Sequence, residues 1–120
     1  MIVEVRKMTN NQTERHELGR AGEAIAKATL GGRATNHKAP LDIVDFTAGY
    51  GYEVKAISGL SKDLKIHIAN KSMARKKAFT RKYGLKLMLI AVVIYDPDHI
   101  EMYRSALKQS IRISQMKRIG

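Results

Sequence analysis

The chain contains no cysteine, which removes disulfide frameworks, thiolate zinc sites and cysteine nucleophiles together. Tryptophan is also absent, and two Phe with five Tyr bring aromatics to only 6% of residues. So thin a supply offers no stacking platform for single strands and counts against RNA-recognition and oligonucleotide-binding folds. The four histidines, His16, His37, His67 and His99, are scattered without ligand spacing, so no zinc site is expected. No apolar run approaches the roughly 20 residues that span a bilayer. The longest, Leu85 to Tyr95, is interrupted by Lys86. Glu4, Arg6 and Lys7 stand where a signal peptide would be apolar. The expectation is a cytoplasmic protein of a bacterial, archaeal or phage-infected cell, without a membrane partner. Acids are scarce as well: 11 Asp and Glu face 22 Lys and Arg, for a net charge of +11. A polyanion is therefore the leading partner class, because surface Lys and Arg displace counterions from phosphates.

What remains is a globular composition, 44% hydrophobic and 28% charged over 120 residues. That is the size of one domain with one core, spanning 1–120, with residues 1–12 read as a flexible lead-in beyond a weak strand at Met1 to Val5. Thr13, with Glu14 and Glu17 after it, marks a helix start, and Gly31-Gly32 marks its stop near Leu30. At 100° per residue, Leu18, Ala21, Gly22, Ile25, Ala28 and Thr29 share its apolar face. Gly19, Gly22 and the alanines should let that helix lie close to a sheet. Leu41 to Phe46 and Tyr52 to Ile57 read as strands around an Ala48-Gly49-Tyr50-Gly51 turn, an antiparallel hairpin. Leu64 to Ile68 alternates as a third strand. Asn70 caps a second helix that ends at Gly84, and Leu85 to Tyr95 is the central buried strand. Asp96-Pro97-Asp98 is a turn, His99 to Arg104 a short strand, and Ser110 to Ser114 alternates like another. The fold class is α/β, a mixed sheet flanked by helices.

The chemistry concentrates on the hairpin. Asp42 follows Pro40 by two residues, and Glu53-Val54-Lys55 sets an acid and a lysine on one face of an otherwise apolar strand. Burying that face without partners is costly, and a divalent cation would offset the cost. In a hairpin turning at Gly49-Tyr50, residues whose numbers add to an odd total share a face. Asp42, Glu53 and Lys55 therefore project to one side and Asp45 to the other, although a symmetrical hairpin leaves Asp42 and Glu53 several residues apart. Two carboxylates are hard ligands for Mg2+ or Mn2+. A lysine beside them can orient a water or stabilise charge on phosphorus. Glu23, at the rim of the first helix beside Gly19 and Ala26, can reach the sheet edge as a third acid, with Glu17 on the opposite rim in reserve.

Gly19 and Glu23 on the first helix, Pro40-Leu41-Asp42, and Glu53-Val54-Lys55 resemble the PD-(D/E)XK nuclease superfamily, with Pro-x-Asp in place of adjacent Pro-Asp. The order of these residues is similar to that in archaeal Holliday junction resolvases and restriction-type endonucleases, over about residues 19 to 95. A weaker likeness, from Glu53-Val54-Lys55 through Ala74-Arg75-Lys76, is to nuclease-type domains of phage head-morphogenesis proteins. The resemblance implies a restriction-endonuclease-like αβββαβ core and magnesium-dependent cleavage. It implies that Asp42 and Glu53 bind metal, that the Val54 carbonyl adds a ligand, and that Glu23 reaches the metal directly or through water. Lys55 would position the water.

Lys71, Arg75, Lys76, Lys77, Arg81 and Lys82 place six cations in twelve residues of the second helix. Five spread over its outer face and suit the DNA backbone. Lys76 falls instead with Ser72, Phe79 and Tyr83 on the sheet-facing side, where it either snorkels outward or points into the cleft. Lys65 and His67, next to the Glu-x-Lys strand, could also contact DNA, and His37, just before Asp42, could flank the metal. The function expected is a Mg2+-dependent endonuclease on duplex or branched DNA, acting as a homodimer. The rivals are a non-catalytic nucleic-acid-binding module and a phage assembly domain that keeps the nuclease fold.

Overall fold

The computed structural model describes residues 11–30, 33–34, 40–60 and 64–120, with the backbone alone at 11–16 and 33–34. The expected strand at Met1 to Val5, the lead-in through residue 10, the Gly31-Gly32 stop and His37 lie outside the described residues. Helix α1 spans Asn11–Leu30, so it begins before Thr13, which is a helical residue and not the cap. Strands β1 (Arg33–Ala34), β2 (Ile43–Asp45), β3 (Tyr50–Ser58) and β4 (Lys65–His67) precede helix α2 (Asn70–Tyr83). Strands β5 (Lys86–Asp96), β6 (His99–Ala106), β7 (Ser110–Arg112) and β8 (Lys117–Arg118) follow it. The class is α/β with a mixed sheet: β1-β2-β3-β5-β6-β8 in spatial order, parallel, among the described residues, only between β3 and β5. Among the described residues no helix is long and apolar enough to cross a membrane.

The most apolar stretch becomes the centre of the sheet, as expected of a strand buried on both faces. Leu89 to Val93 of β5 are all fully buried. Their alternation divides the core. Ile90 and Val92 join Ala26, Ile43, Tyr52 and Val54 under α1, while Leu89, Ala91 and Val93 join Met73 of α2 and Ile66, Ile111 and Ile113 on the opposite face. The methionines at 73, 88, 102 and 116 are buried fillers. The face that α1 turns inward is rotated from expectation: Gly22 and Ala26 are buried, whereas Ala21, Ala28 and Thr29 are exposed. Gly22 sets the approach, since a Cβ there would lie 2.5 Å from Ala56 Cβ, whereas one on Gly19 would meet nothing within 4 Å.

Three further expectations change. The third strand, β4, leaves the main sheet and pairs antiparallel with β7, because Ile66 and Ile68 find their apolar partners in Ile111 and Ile113. The cap of α2 is Ala69, without a side-chain bond; Asn70 is already helical, and its Oδ1 accepts from Gln109 Nε2. Gly84 closes α2 as expected, in the left-handed conformation at φ 66°. Beyond Ala106, the Ser110 alternation is realised as β7. Strand β8 pairs with β6, where Arg118 approaches Glu101 at 3.6 Å.

Candidate active site

The β2–β3 register brings the hairpin acids together. Ile43 pairs with Tyr52, Val44 with Gly51 and Asp45 with Tyr50, so the loop is residues 46–49 and not 48–51. Gly49 takes the left-handed position at φ 82°. Gly51 instead continues β3, where a Cβ would sit 2.6 Å from Leu41 Cδ1. Asp42 and Glu53 are the residues next beyond the last pair of this ladder, Ile43 with Tyr52. The loop at 46–49 thereby removes the expected gap of several residues. Asp45 goes to turn duty, accepting the Ala48 N–H at 3.0 Å.

At Asp42 the ladder ends. Its N–H still reaches the Tyr52 carbonyl at 3.1 Å, but its Oδ2 accepts the Val54 N–H at 2.8 Å, standing in for a strand acceptor. In a strand the N–H and C=O of one residue project to the same edge, so the Val54 carbonyl faces the edge that carries Asp42. Glu53 is buried, and Lys55, two residues on, is only half-buried. Lys55 Nζ lies 3.3 Å from Glu53 Oε2. From α2, Lys76 Nζ lies 3.4 Å from Glu53 Oε1 and donates to the Pro40 carbonyl at 2.7 Å. Lys76 therefore enters the cleft. Phe79 beside it is half-buried, but Tyr83 on the same side of the helix is exposed.

The electrostatics describe a crowded set of acids. Burial, then the charge of Asp42, pushes Glu53 up to about 7, against the opposing pull of Lys76 and Lys55. Glu23 is also raised, by burial first and then by the charge and a side-chain hydrogen bond of Asp42. Asp42 is thus the common neighbour of the two glutamates. Glu23 comes from α1, which packs on the opposite face of the sheet, and its side chain, exposed overall, reaches Asp42. Glu17 is exposed.

Among the described residues no three His, Cys, Asp or Glu form a ready-made metal cage. Magnesium does not require one, since it binds through one or two carboxylates and keeps several waters. An all-oxygen donor set, whose central charge raises both neighbours, fits a hard divalent cation, whose binding would relieve that repulsion.

The remaining cations separate into two groups. Lys71, Arg75, Lys77, Arg81 and Lys82 are all exposed on α2, the helix that delivers Lys76. Lys65 and His67 are exposed on β4, which belongs to the small sheet and is not a neighbour of β3. The expectation that they flank the Glu-x-Lys strand fails for that reason. Sequence reasoning missed Pro40 as the carbonyl anchor of Lys76. Its only signal was its place two residues before Asp42. No family model, curated protein or solved structure matches the chain.

Proposed function

We propose that this chain is a metal-dependent endodeoxyribonuclease of the PD-(D/E)XK type, hydrolysing phosphodiester bonds of duplex or branched DNA with Mg2+ or Mn2+. The observation that carries the reading is the meeting of Asp42 and Glu53 across the hairpin, with Glu23 at their edge and two lysines on Glu53. A bound divalent cation supplies an acidified water and neutralises charge on the attacked phosphate. Asp42 and Glu53 would hold it, with the Val54 carbonyl as a further ligand and Glu23 acting directly or through water. Lys55, the more exposed of the two lysines, orients the attacking water and supports the charge that develops on phosphorus. Lys76 is fixed between Glu53 and Pro40, so its part is to hold the Glu53 carboxylate in place. The outer cations of α2 take the DNA backbone, which makes binding strongly dependent on salt. So small a domain covers little DNA, and a cytoplasmic homodimer would address both strands.

Incubation of supercoiled plasmid and branched DNA with Mg2+ or with EDTA tests this. Wild type should cut only with the metal, and Asp42→Ala and Lys55→Ala should lose the activity. If wild type cuts nothing, or the variants cut as well as wild type, the enzyme reading fails and the basic helix is a binding module.

A further inference from the structure

Composition alone promised no stacking surface, yet the fold gathers both phenylalanines and one tyrosine in one place. Phe46, on the β2–β3 loop, meets Tyr83 at the end of α2 edge-on, with ring centroids 6.0 Å apart. Phe79, one turn earlier, lies 4.8 Å from Tyr83. Phe79 is half-buried and anchors the group, while Phe46 and Tyr83 are 59% and 48% exposed, two of the three large hydrophobics in that state among the described residues. The surroundings are cationic: Lys82 Nζ lies 5.4 Å from the Tyr83 ring centroid, and Arg81 beside it is exposed.

The position of this cluster follows from two elements that lead to it from the carboxylates. Lys76, Phe79 and Tyr83 share one side of α2, so Tyr83 stands about 10 Å along the axis from the lysine that touches Glu53. Strand β2 runs from Asp42 towards Phe46, about 13 Å at the rise of an extended chain. Both paths are a few nucleotides long.

We propose that Phe46 and Tyr83 form a stacking clamp for an unpaired nucleotide of a branched DNA substrate, a few nucleotides from the phosphate that is cut. The distance to that phosphate rests on the nuclease reading; the clamp itself does not. Every base has a π-face, so exposed rings among Lys and Arg take single-stranded nucleotides without regard to sequence. A duplex offers such rings only its terminal pair, whereas a flap or junction presents unstacked bases. Charge selects DNA over a second copy of the chain, because a symmetric contact here would set the two cationic helices against each other.

Fluorescence anisotropy in EDTA tests the clamp, using the full chain, a labelled duplex and the same duplex carrying a single-stranded flap. Phe46→Ala and Tyr83→Ala should weaken binding to the flap about five- to hundred-fold, leave binding to the duplex within about two-fold, and preserve the circular dichroism spectrum. Phe46→Tyr should restore the flap preference. Equal losses on both substrates, or none on either, would overturn the clamp. So would a fall in sedimentation mass for Phe46→Ala with flap affinity unchanged, which would mark the patch as a contact between copies. Metal-dependent cleavage is scored separately. Flap preference that depends on Phe46, without any cleavage, would support the clamp and sink the nuclease reading; intact cleavage without the preference would do the reverse.

Discussion

Lys76 of α2 and Glu53 of β3 meet at 3.4 Å with side chains only 7% and 8% exposed. Removing one member of a buried pair strands the other's charge, which costs more than the pair itself contributes. Lys76→Met should therefore lower stability by about 3 kcal/mol at pH well above 7, where Glu53 is ionised. The loss should shrink in mild acid, where Glu53 takes a proton. Adding Glu53→Gln should recover part of the loss, a coupling that urea titration of the two single variants and the double variant measures. Additive effects would mean that the two groups do not share a charge interaction.

The position of Glu53 dictates a pH dependence for the metal-free protein. Its carboxyl is held at about 7 in the fold, against 4.5 for an ordinary glutamate. Between those values the folded state binds more protons than the unfolded one, so stability falls as pH rises through this window and levels off above it. Glu23, also raised, acts in the same direction. Urea midpoints in EDTA should drop by a few kcal/mol equivalent from about pH 5 to about pH 8, and Glu53→Gln should flatten most of that slope. A stability that rises with pH over this range would contradict the burial of Glu53.

Asp42 carries two separable duties. It accepts the Val54 N–H at 2.8 Å, and it supplies the charge that raises both glutamates. Asp42→Asn keeps an acceptor oxygen, so it should fold with stability near or above wild type while losing DNA cleavage. Asp42→Ala leaves a partly buried N–H without its partner and should cost about 1–3 kcal/mol in addition. Comparing the two by thermal unfolding and by plasmid cleavage separates the hydrogen bond from the charge. Equal stability for both variants would show that the hydrogen bond contributes nothing.

What the sequence disclosed, and what it withheld, follows from the range of each interaction. Side-chain alternation is local, so the shared face of Asp42, Glu53 and Lys55 was legible from odd and even spacing, and β5 from its apolar run. The absolute register was not. Gly49, Tyr50 and Gly51 all look like turn residues, and only the pairing of Gly51 with Val44 and Leu87, under Leu41, shows that it belongs to the strand. The partner of β4 was hidden for a similar reason: it lies in β7, past another helix and two strands. The two readings of Lys76 could be separated only by its contacts with Glu53 and with the Pro40 carbonyl, the latter across 36 residues. Aromatic content counted against a stacking surface because a count carries no positions, and three rings suffice when the fold brings them together.

The two glycines of α1 give opposite predictions because the helix touches the sheet at only one of them. A Cβ at Gly22 would lie 2.5 Å from Ala56 Cβ, with Val92 Cβ at 3.7 Å behind it. Neither neighbour is the end of a flexible chain, so α1 must lift away from β3. Gly22→Ala should therefore destabilise by about 1–3 kcal/mol despite the better helix propensity of alanine. Gly19 has open space around it, and Gly19→Ala should stabilise by up to about 1 kcal/mol. The functional consequence runs through Glu23, the residue next to Gly22, whose distance from Asp42 depends on how closely the helix lies. Gly22→Ala should thus slow DNA cleavage even at temperatures where the variant is fully folded, and Ala56→Gly in the same chain should restore both stability and rate by reopening the contact. If the double variant recovers stability but not cleavage, the spacing of α1 is not what brings Glu23 to the site.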